Sequence, residues 1–221
     1  FIRDKKRVKS KTINIKKINK LNPSLKKKIN EDIKKIISKR VFLRKKNHML
    51  MGIVNMTPDS FSDGGKYNKK NLAKKHVNNL LSSGAKIIDI GGESTRPGAQ
   101  DIHPNKEWDR IKFILNIWKN KKSFVSLDTR KSFVMEKASK INIDLINDVS
   151  GLNYDPNTIK FLKKTKKPFV IHHMKGTPMN MQIKPAYKNV LLDIYDFFET
   201  KLKYLRKQGI KHNNIILDPG I

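Results

Sequence analysis

The chain has no cysteine. That excludes disulfides and thiolate metal sites, and it fits a reducing, cytoplasmic setting. No apolar run approaches the roughly 20 residues of a membrane span, and the first residues carry no signal-peptide pattern. Acidic residues are scarce, 19 against 49 basic ones, so the formal net charge is +30. A charge of that size points to a polyanion such as nucleic acid. Two features weigh against that partner. The lysines are spread along the whole chain with few aromatics between them, as on a solvated surface. They also come with abundant Asn and Ile, the composition an AT-rich coding sequence produces. Phosphate-binding GxxxxGK[ST], the GxSxG elbow and HExxH are all missing.

What is present falls into two parts. Residues 1–47 read as a basic extension. Its first 20 residues lack apolar periodicity, so little order is expected there. Asn22-Pro23 reads as an N-cap followed by proline at the first helical position. Leu25, Ile29, Ile33 and Ile36/Ile37 then recur at helical spacing to about Lys39. Val41–Leu43 reads as a short strand. The chain starts at Phe1 and stops at Ile221, just after Asp218-Pro219-Gly220, so a segment of a longer protein is expected.

From His48 to Ile221 the pattern is strand then helix, about six times. Strands are expected over Met49–Val54, Ala85–Ile90, Ser123–Leu127, Ile143–Ile146, Pro168–His172 and Ile215–Leu217. Helices are expected over Asn71–Ser83, Asn105–Asn120, Ser132–Lys140, Pro156–Lys164 and Lys188–Gln208, with Gly84 and Gly209 as stops. The strands are short and continuously apolar, as strands buried on both faces are. Strict alternation implies a parallel sheet with right-handed crossovers. An open doubly wound sheet gathers its ligands at one switch point. A (β/α)8 TIM barrel takes functional groups from the C-terminal ends of many strands. Here nearly every strand ends in a polar residue: Asn55, Asp89, Thr95-Arg96, Asp128, Asn147, His173 and Asp218. The barrel is therefore favoured. A complete one takes roughly 250 residues, so this chain stops after about the sixth strand.

Those strand ends converge on one mouth in a barrel. Asp128, Asn147 and Asp218 offer carboxylate and amide groups on stiff supports. Such a set suits a flat heterocycle with a 2-amino-N3–H edge, as in guanine or pterin. The competing reading is that the two aspartates cap the helices that follow. Arg96, after a Gly-Gly turn, suits a phosphate or a carboxylate. Asn55 is a neutral oxygen ligand, suited to Mg²⁺ held mostly by water and substrate phosphates. The segment Asp59–Gly65 reads as a lid that excludes water. His172 and His173 are adjacent on a strand and point to opposite faces, which argues against joint metal ligation.

Six segments carry a resemblance: MGIVNMTPDSFSDGG (Met51–Gly65), IIDIGGESTRPG (Ile87–Gly98), VSLDTRK (Val125–Lys131), INDVSG (Ile146–Gly151), HMKGTP (His173–Pro178) and LDPG (Leu217–Gly220). In this order they resemble the dihydropteroate synthases of the pterin-binding barrel family, from Met51 to Ile221. The resemblance implies a homodimeric (β/α)8 barrel that is the target of sulfonamides. It implies a transferase of folate biosynthesis that condenses (7,8-dihydropterin-6-yl)methyl diphosphate with 4-aminobenzoate, with Mg²⁺. It implies Mg²⁺ and diphosphate contact for Asn55, and pterin contact for Asp128, Asn147, Met174 and Asp218. It places Thr95 and Arg96 at the diphosphate and 4-aminobenzoate site, with Asp89, Asp59 and Ser60 in support. Asp128 and Arg96 are the residues expected to act on the reacting groups. Three departures stand out. His172 replaces a commonly apolar residue, and Ser132 a frequent proline. The family's Lys on the seventh strand and Arg-x-His on the eighth have no counterpart in this chain. The alternatives are a corrinoid methyltransferase barrel that binds methyltetrahydrofolate and a basic nucleic-acid-binding protein.

Overall fold

The structure is a computed structural model that describes residues 2–4, 7–9, 14–37, 48–57, 66–94, 99–118, 123–174 and 186–220. The chain divides into two compact units, Phe1–Arg40 and Val41–Ile221.

The first unit is more ordered than its composition suggests. Strands β1 (Ile2–Asp4) and β2 (Arg7–Lys9) pair antiparallel, with Arg3 opposite Val8. Backbone pairing over three residues needs no apolar periodicity, which is why the pattern did not show it. A 3₁₀ turn, Ile15–Lys20, follows, with the Lys16 N–H donating to the Asn14 side chain at 3.0 Å. Helix α1 (Pro23–Ile37) starts where the cap signal puts it. Asn22 Oδ1 accepts from the Ser24 and Leu25 amides at 2.9 and 3.3 Å, satisfying two donors that the first turn leaves orphaned. The short strand expected at Val41–Leu43 lies outside the described residues.

The second unit is a parallel sheet of six strands: β3 (Leu50–Asn55), β4 (Ala85–Gly91), β5 (Phe124–Asp128), β6 (Leu145–Asp148), β7 (Phe169–His172) and β8 (Ile215–Asp218). Their spatial order is their sequence order, and every neighbouring pair is parallel. A doubly wound sheet must reverse direction at a switch point. This sheet never reverses, which is the strand order of a (β/α)8 barrel, here with six strands and the five helices between them. The crossovers carry α2 (Lys66–Ser82), α3 (Pro104–Trp118), α4 (Ser132–Ser139), α5 (Thr158–Thr165) and α6 (Val190–Lys207). Gly84 and Gly209, at φ +98° and +80°, end α2 and α6 as their positions predict.

The main core lies between sheet and helices. Val54, Ile88, Ile90, Leu127, Ile146 and Ile171 project to that side and are fully buried against residues such as Val77, Ile111, Leu115 and Met135. Burying each such side chain stabilises the fold by about 1.5–3 kcal/mol. Side chains alternate along a strand, so the intervening residues face the inner side. Ile87, Leu145 and Val170 are buried there. At the edge strand β3, Met51 and Ile53 on the inner side stay 37% and 58% exposed.

Two boundaries differ from the sequence expectation in a way that matters. Strand β6 runs Leu145–Asp148, two residues later than Ile143–Ile146, because Asp144 first bonds strand β5: Val125 N–H donates to its Oδ2 at 2.8 Å. Asn147 is thus held inside the strand. Strand β4 runs on to Gly91, so Asp89 is no strand end and pairs in register with Ile53 and Ser126.

Asp148 faces the helix side and is fully buried. Its Oδ1 accepts from the Ser150 amide and hydroxyl at 2.8 and 2.6 Å, while Oδ2 has no partner among the described residues. Burial pushes its pKa up to about 6, against the opposing Ser150 bonds. A raised carboxylate pKa means that ionisation is costlier in the folded state. The associated loss of stability is absent below the ordinary pKa and complete above the raised one. Asp148→Asn should therefore gain stability relative to the native chain as pH rises between about 4 and 7. Urea unfolding across that range checks it; a pH-independent difference would refute it.

Candidate active site

The parallel register brings the sequence-predicted residues together in rows. Asn55, Gly91, Asp128 and Asn147 are consecutive partners across β3, β4, β5 and β6. One row deeper stand Ile53, Asp89 and Ser126. On the far side, His172 pairs with Asp218. These residues share the inner side near the C-terminal ends of the strands.

Asp89 is 4% exposed and accepts from Asn147 Nδ2 at 2.9 Å. Its second oxygen, and the hydroxyl of the adjacent buried Ser126, have no hydrogen-bond partner among the described residues. Burial raises the Asp89 pKa, opposed first by the adjacent Ser126 side chain and then by the Asn147 amide. Asp128 is half-buried beside it. Burial first, and then the charges of Asp89, Glu107, Asp148 and Glu93, push the Asp128 pKa well above the carboxylate range. The helix-cap reading of Asp128 fails: the first amide of α4, Ser132 N–H, donates to Asp155 Oδ2 at 2.8 Å. Gly91 makes the room that Asp128 occupies. A Cβ at Gly91 would lie 2.9 Å from Asp128 Oδ2 and 3.3 Å from its Cβ.

Asp218 behaves differently. Burial pushes its pKa up, but the Gly220 amide at 2.9 Å and the His172 ring at 3.0 Å outweigh it, and the net shift is downward. One Asp218 oxygen accepts from the Gly220 amide while the other meets His172. His173 points the other way. It is buried edge-on to Phe197 of α6, with ring centroids 5.0 Å apart, and its Nδ1 lies 3.1 Å from the Pro219 carbonyl oxygen. Met174 follows, half-buried. Asn55 is half-buried at the end of β3. Thr95, Arg96, Asp59 and Ser60, and with them the lid expected at Asp59–Gly65, lie outside the described residues.

A charged cluster beside the mouth went unnoticed in the sequence. Lys131 Nζ lies 2.6 Å from Glu93 Oε1, 2.8 Å from Asp101 Oδ1 and 3.2 Å from Glu107 Oε2. Arg130 Nε lies 2.8 Å from Glu93 Oε2. Thr129 donates to Glu107 at 2.5 Å. Lys131 is 3% exposed, and composition does not reveal that burial.

No group of three or more His, Asp or Glu side chains among the described residues could cage a metal ion. Asn55 alone fits the other mode of Mg²⁺ binding, one neutral protein oxygen beside water and phosphate oxygens. Across the mouth, buried Asp89, half-buried Asp128, the amides of Asn55 and Asn147 and the His172–Asp218 pair make a surface rich in acceptors, able to accept from a ligand that brings its own N–H groups.

Gly91→Ala tests the packing at this site. The added methyl should displace the Asp128 carboxylate and weaken ligand binding at the mouth tenfold or more, while stability falls by about 1–3 kcal/mol. Calorimetric titration with a pterin alongside urea unfolding checks both, and native affinity in the variant would show that the close approach is irrelevant.

Comparison with known proteins agrees with this geometry. Residues 51–221 match the family described as pterin binding enzyme. The dihydropteroate synthase of Neisseria meningitidis serogroup C is 42% identical over 174 residues, which cover 77% of this chain and 61% of that protein. The chain thus spans about three-fifths of the length of such curated relatives. The crystal structure of Yersinia pestis dihydropteroate synthase with a sulfonamide drug complex superposes with a TM-score of 0.73 at 38% identity, covering 83% of this chain and 67% of that one. The Xanthomonas albilineans dihydropteroate synthase with 4-aminobenzoic acid gives 0.71 at 35% identity, covering 79% and 62%. Rows of strand-end acceptors on an unreversed parallel sheet, and a match that runs from residue 51 to residue 221, place this chain in the pterin-binding enzyme family.

Proposed function

We propose that the protein carrying this chain is a dihydropteroate synthase, a cytoplasmic, homodimeric transferase of folate biosynthesis inhibited by sulfonamides, with residues 48–221 supplying most of its barrel. One observation carries the reading. Asp128 sits half-buried at the mouth with its ionised form disfavoured, and it has no hydrogen-bond donor among the described residues. A ligand bearing a 2-amino group and a ring N–H supplies two parallel donors to such a carboxylate. That is the edge of a pterin. The orphaned Asp89 and Ser126 oxygens beneath it supply further polarity. The relative from Xanthomonas, seen with 4-aminobenzoic acid, supports the second substrate.

The reaction joins the amine nitrogen of 4-aminobenzoate to the exocyclic CH₂ of (7,8-dihydropterin-6-yl)methyl diphosphate. The C–O bond to diphosphate breaks, positive charge develops on the CH₂ and spreads into the ring, and the amine then loses a proton. Arylamines are nucleophilic when neutral, so no strong base is required. The side chains therefore act by position and field. Asp128, Asn147, Asp218 and Met174 hold the ring, and the carboxylates of Asp128, Asp89 and Asp218 face the developing cation. Arg96 meets the departing diphosphate, Thr95 borders the 4-aminobenzoate site, and Asp59 and Ser60 help enclose it. Asn55 would hold Mg²⁺, which when bound neutralises diphosphate charge.

The full-length protein should release diphosphate only when both the pterin diphosphate and Mg²⁺ are present. Asp128→Ala and Asp218→Ala should each weaken pterin binding at least a hundredfold, measured by calorimetry. Native affinity in both variants would overturn the pocket assignment, and turnover with methyltetrahydrofolate in place of these substrates would overturn the reaction.

A further inference from the structure

The cluster around Lys131 joins three places in the chain that are far apart in sequence. Glu93 stands just before residues 94–100, Asp101 and Ile102 stand just after them, and Lys131 begins the turn into α4, three residues past Asp128. The Lys131 ammonium has three protons, and besides Glu107 Oε2 at 3.2 Å three closer acceptors surround it. These are Glu93 Oε1 at 2.6 Å, the Ile102 carbonyl oxygen at 2.6 Å and Asp101 Oδ1 at 2.8 Å. Glu93 reinforces the tie, since its Oε1 also accepts from the Ile102 amide at 3.1 Å. Arg130 completes the frame. Its Nε holds Glu93, and its guanidinium lies 4.1 Å from the ring centre of Tyr154, whose hydroxyl donates to Asp101. Lys131 is 3% exposed and Glu93 5%. Charge pairs this dry are screened little by salt or water.

Lys131 binds residues on both sides of the segment 94–100, together with Glu107 of α3, and anchors them to the strand that presents Asp128. We propose that Lys131 is a positioning residue. Its ammonium fixes the separation of the two points from which residues 94–100 depart and ties both to the end of β5. Glu93, Asp101 and Ile102, which flank residues 94–100, are thereby held to the strand that presents Asp128. A compact ammonium suits three convergent acceptors; a planar guanidinium does not. The consequence for catalysis rests on the reading of Thr95 and Arg96 as residues of the diphosphate and 4-aminobenzoate site.

The test uses Lys131→Met and Asp101→Asn in the full-length protein. Asp101 is 52% exposed at its side chain, so its variant keeps the fold even where Lys131→Met does not. Amide hydrogen exchange at Ala99–Ile102 should speed up at least tenfold in Lys131→Met and about threefold in Asp101→Asn, while exchange in β5 and β6 stays native. The KM for 4-aminobenzoate should rise about tenfold in Lys131→Met with kcat changed less, and pterin affinity should hold. Lys131→Arg should rescue only part of either effect. Native exchange at Ala99–Ile102 in Asp101→Asn, or equal loss of pterin and 4-aminobenzoate affinity in a folded Lys131→Met, would overturn the proposal. Exchange decides the clamp even if the native protein shows no synthase turnover, so the two readings fail separately.

Discussion

The register between parallel strands is the constraint on which the site depends. Parallel hydrogen bonding locks each strand to its neighbour residue by residue, and a slip by one would turn every side chain to the other face. The same lock sends Val54, Ile90 and Leu127 into the helix-packed core and holds Asn55, Gly91, Asp128 and Asn147 in one row on the opposite side. Core and site are thus two faces of one pattern. The apolar burial on one side fixes the register that the polar row on the other side requires. Gly91 shows how tight the arrangement is, because the row has room for the Asp128 carboxylate only where β4 lacks a side chain.

Electrostatics follow from that geometry. In a chain of net charge +30, carboxylates gather at one end of the sheet. Asp89 and Asp128 lie close together and partly dry, so burial and mutual repulsion disfavour their ionised forms. Asp218 is settled by His172 and the Gly220 amide and stays ionised. The mouth therefore contains Asp218 with both oxygens engaged, Asp89 held on one oxygen by Asn147, and Asp128 with no donor among the described residues. Beside it, Glu93, Asp101 and Glu107 are met by Lys131 and Arg130.

Much of this was legible in the sequence. The strand–helix alternation, the glycine stops at Gly84 and Gly209 and the cap at Asn22 are local signals, and each appears where the pattern puts it. The polar strand ends already favoured a barrel, and the sheet order agrees. Other features were hidden for definite reasons. The pairing of β1 with β2 is too short to leave a periodic trace. Asp89 looked like a strand end because Gly91 and Gly92 suggest a turn, yet glycine also permits a strand to continue close to a neighbour. Lys131 and Arg130 were lost among many basic residues, since their contacts with Glu93 and Asp101 join places far apart in sequence. The contact of His172 with Asp218 joins strands 46 residues apart, and no local pattern encodes it.

The central claim is that the strand-end row and its neighbours form one pterin-binding mouth. The most direct measurement is a crystal structure of the full-length protein with a pterin bound. The account predicts a pterin ring on the inner side of the sheet, its 2-amino and N3–H groups paired with a carboxylate of the Asp128, Asn147 and Asp218 set. A ring bound elsewhere, or one in the mouth that leaves all three side chains uncontacted, would contradict it.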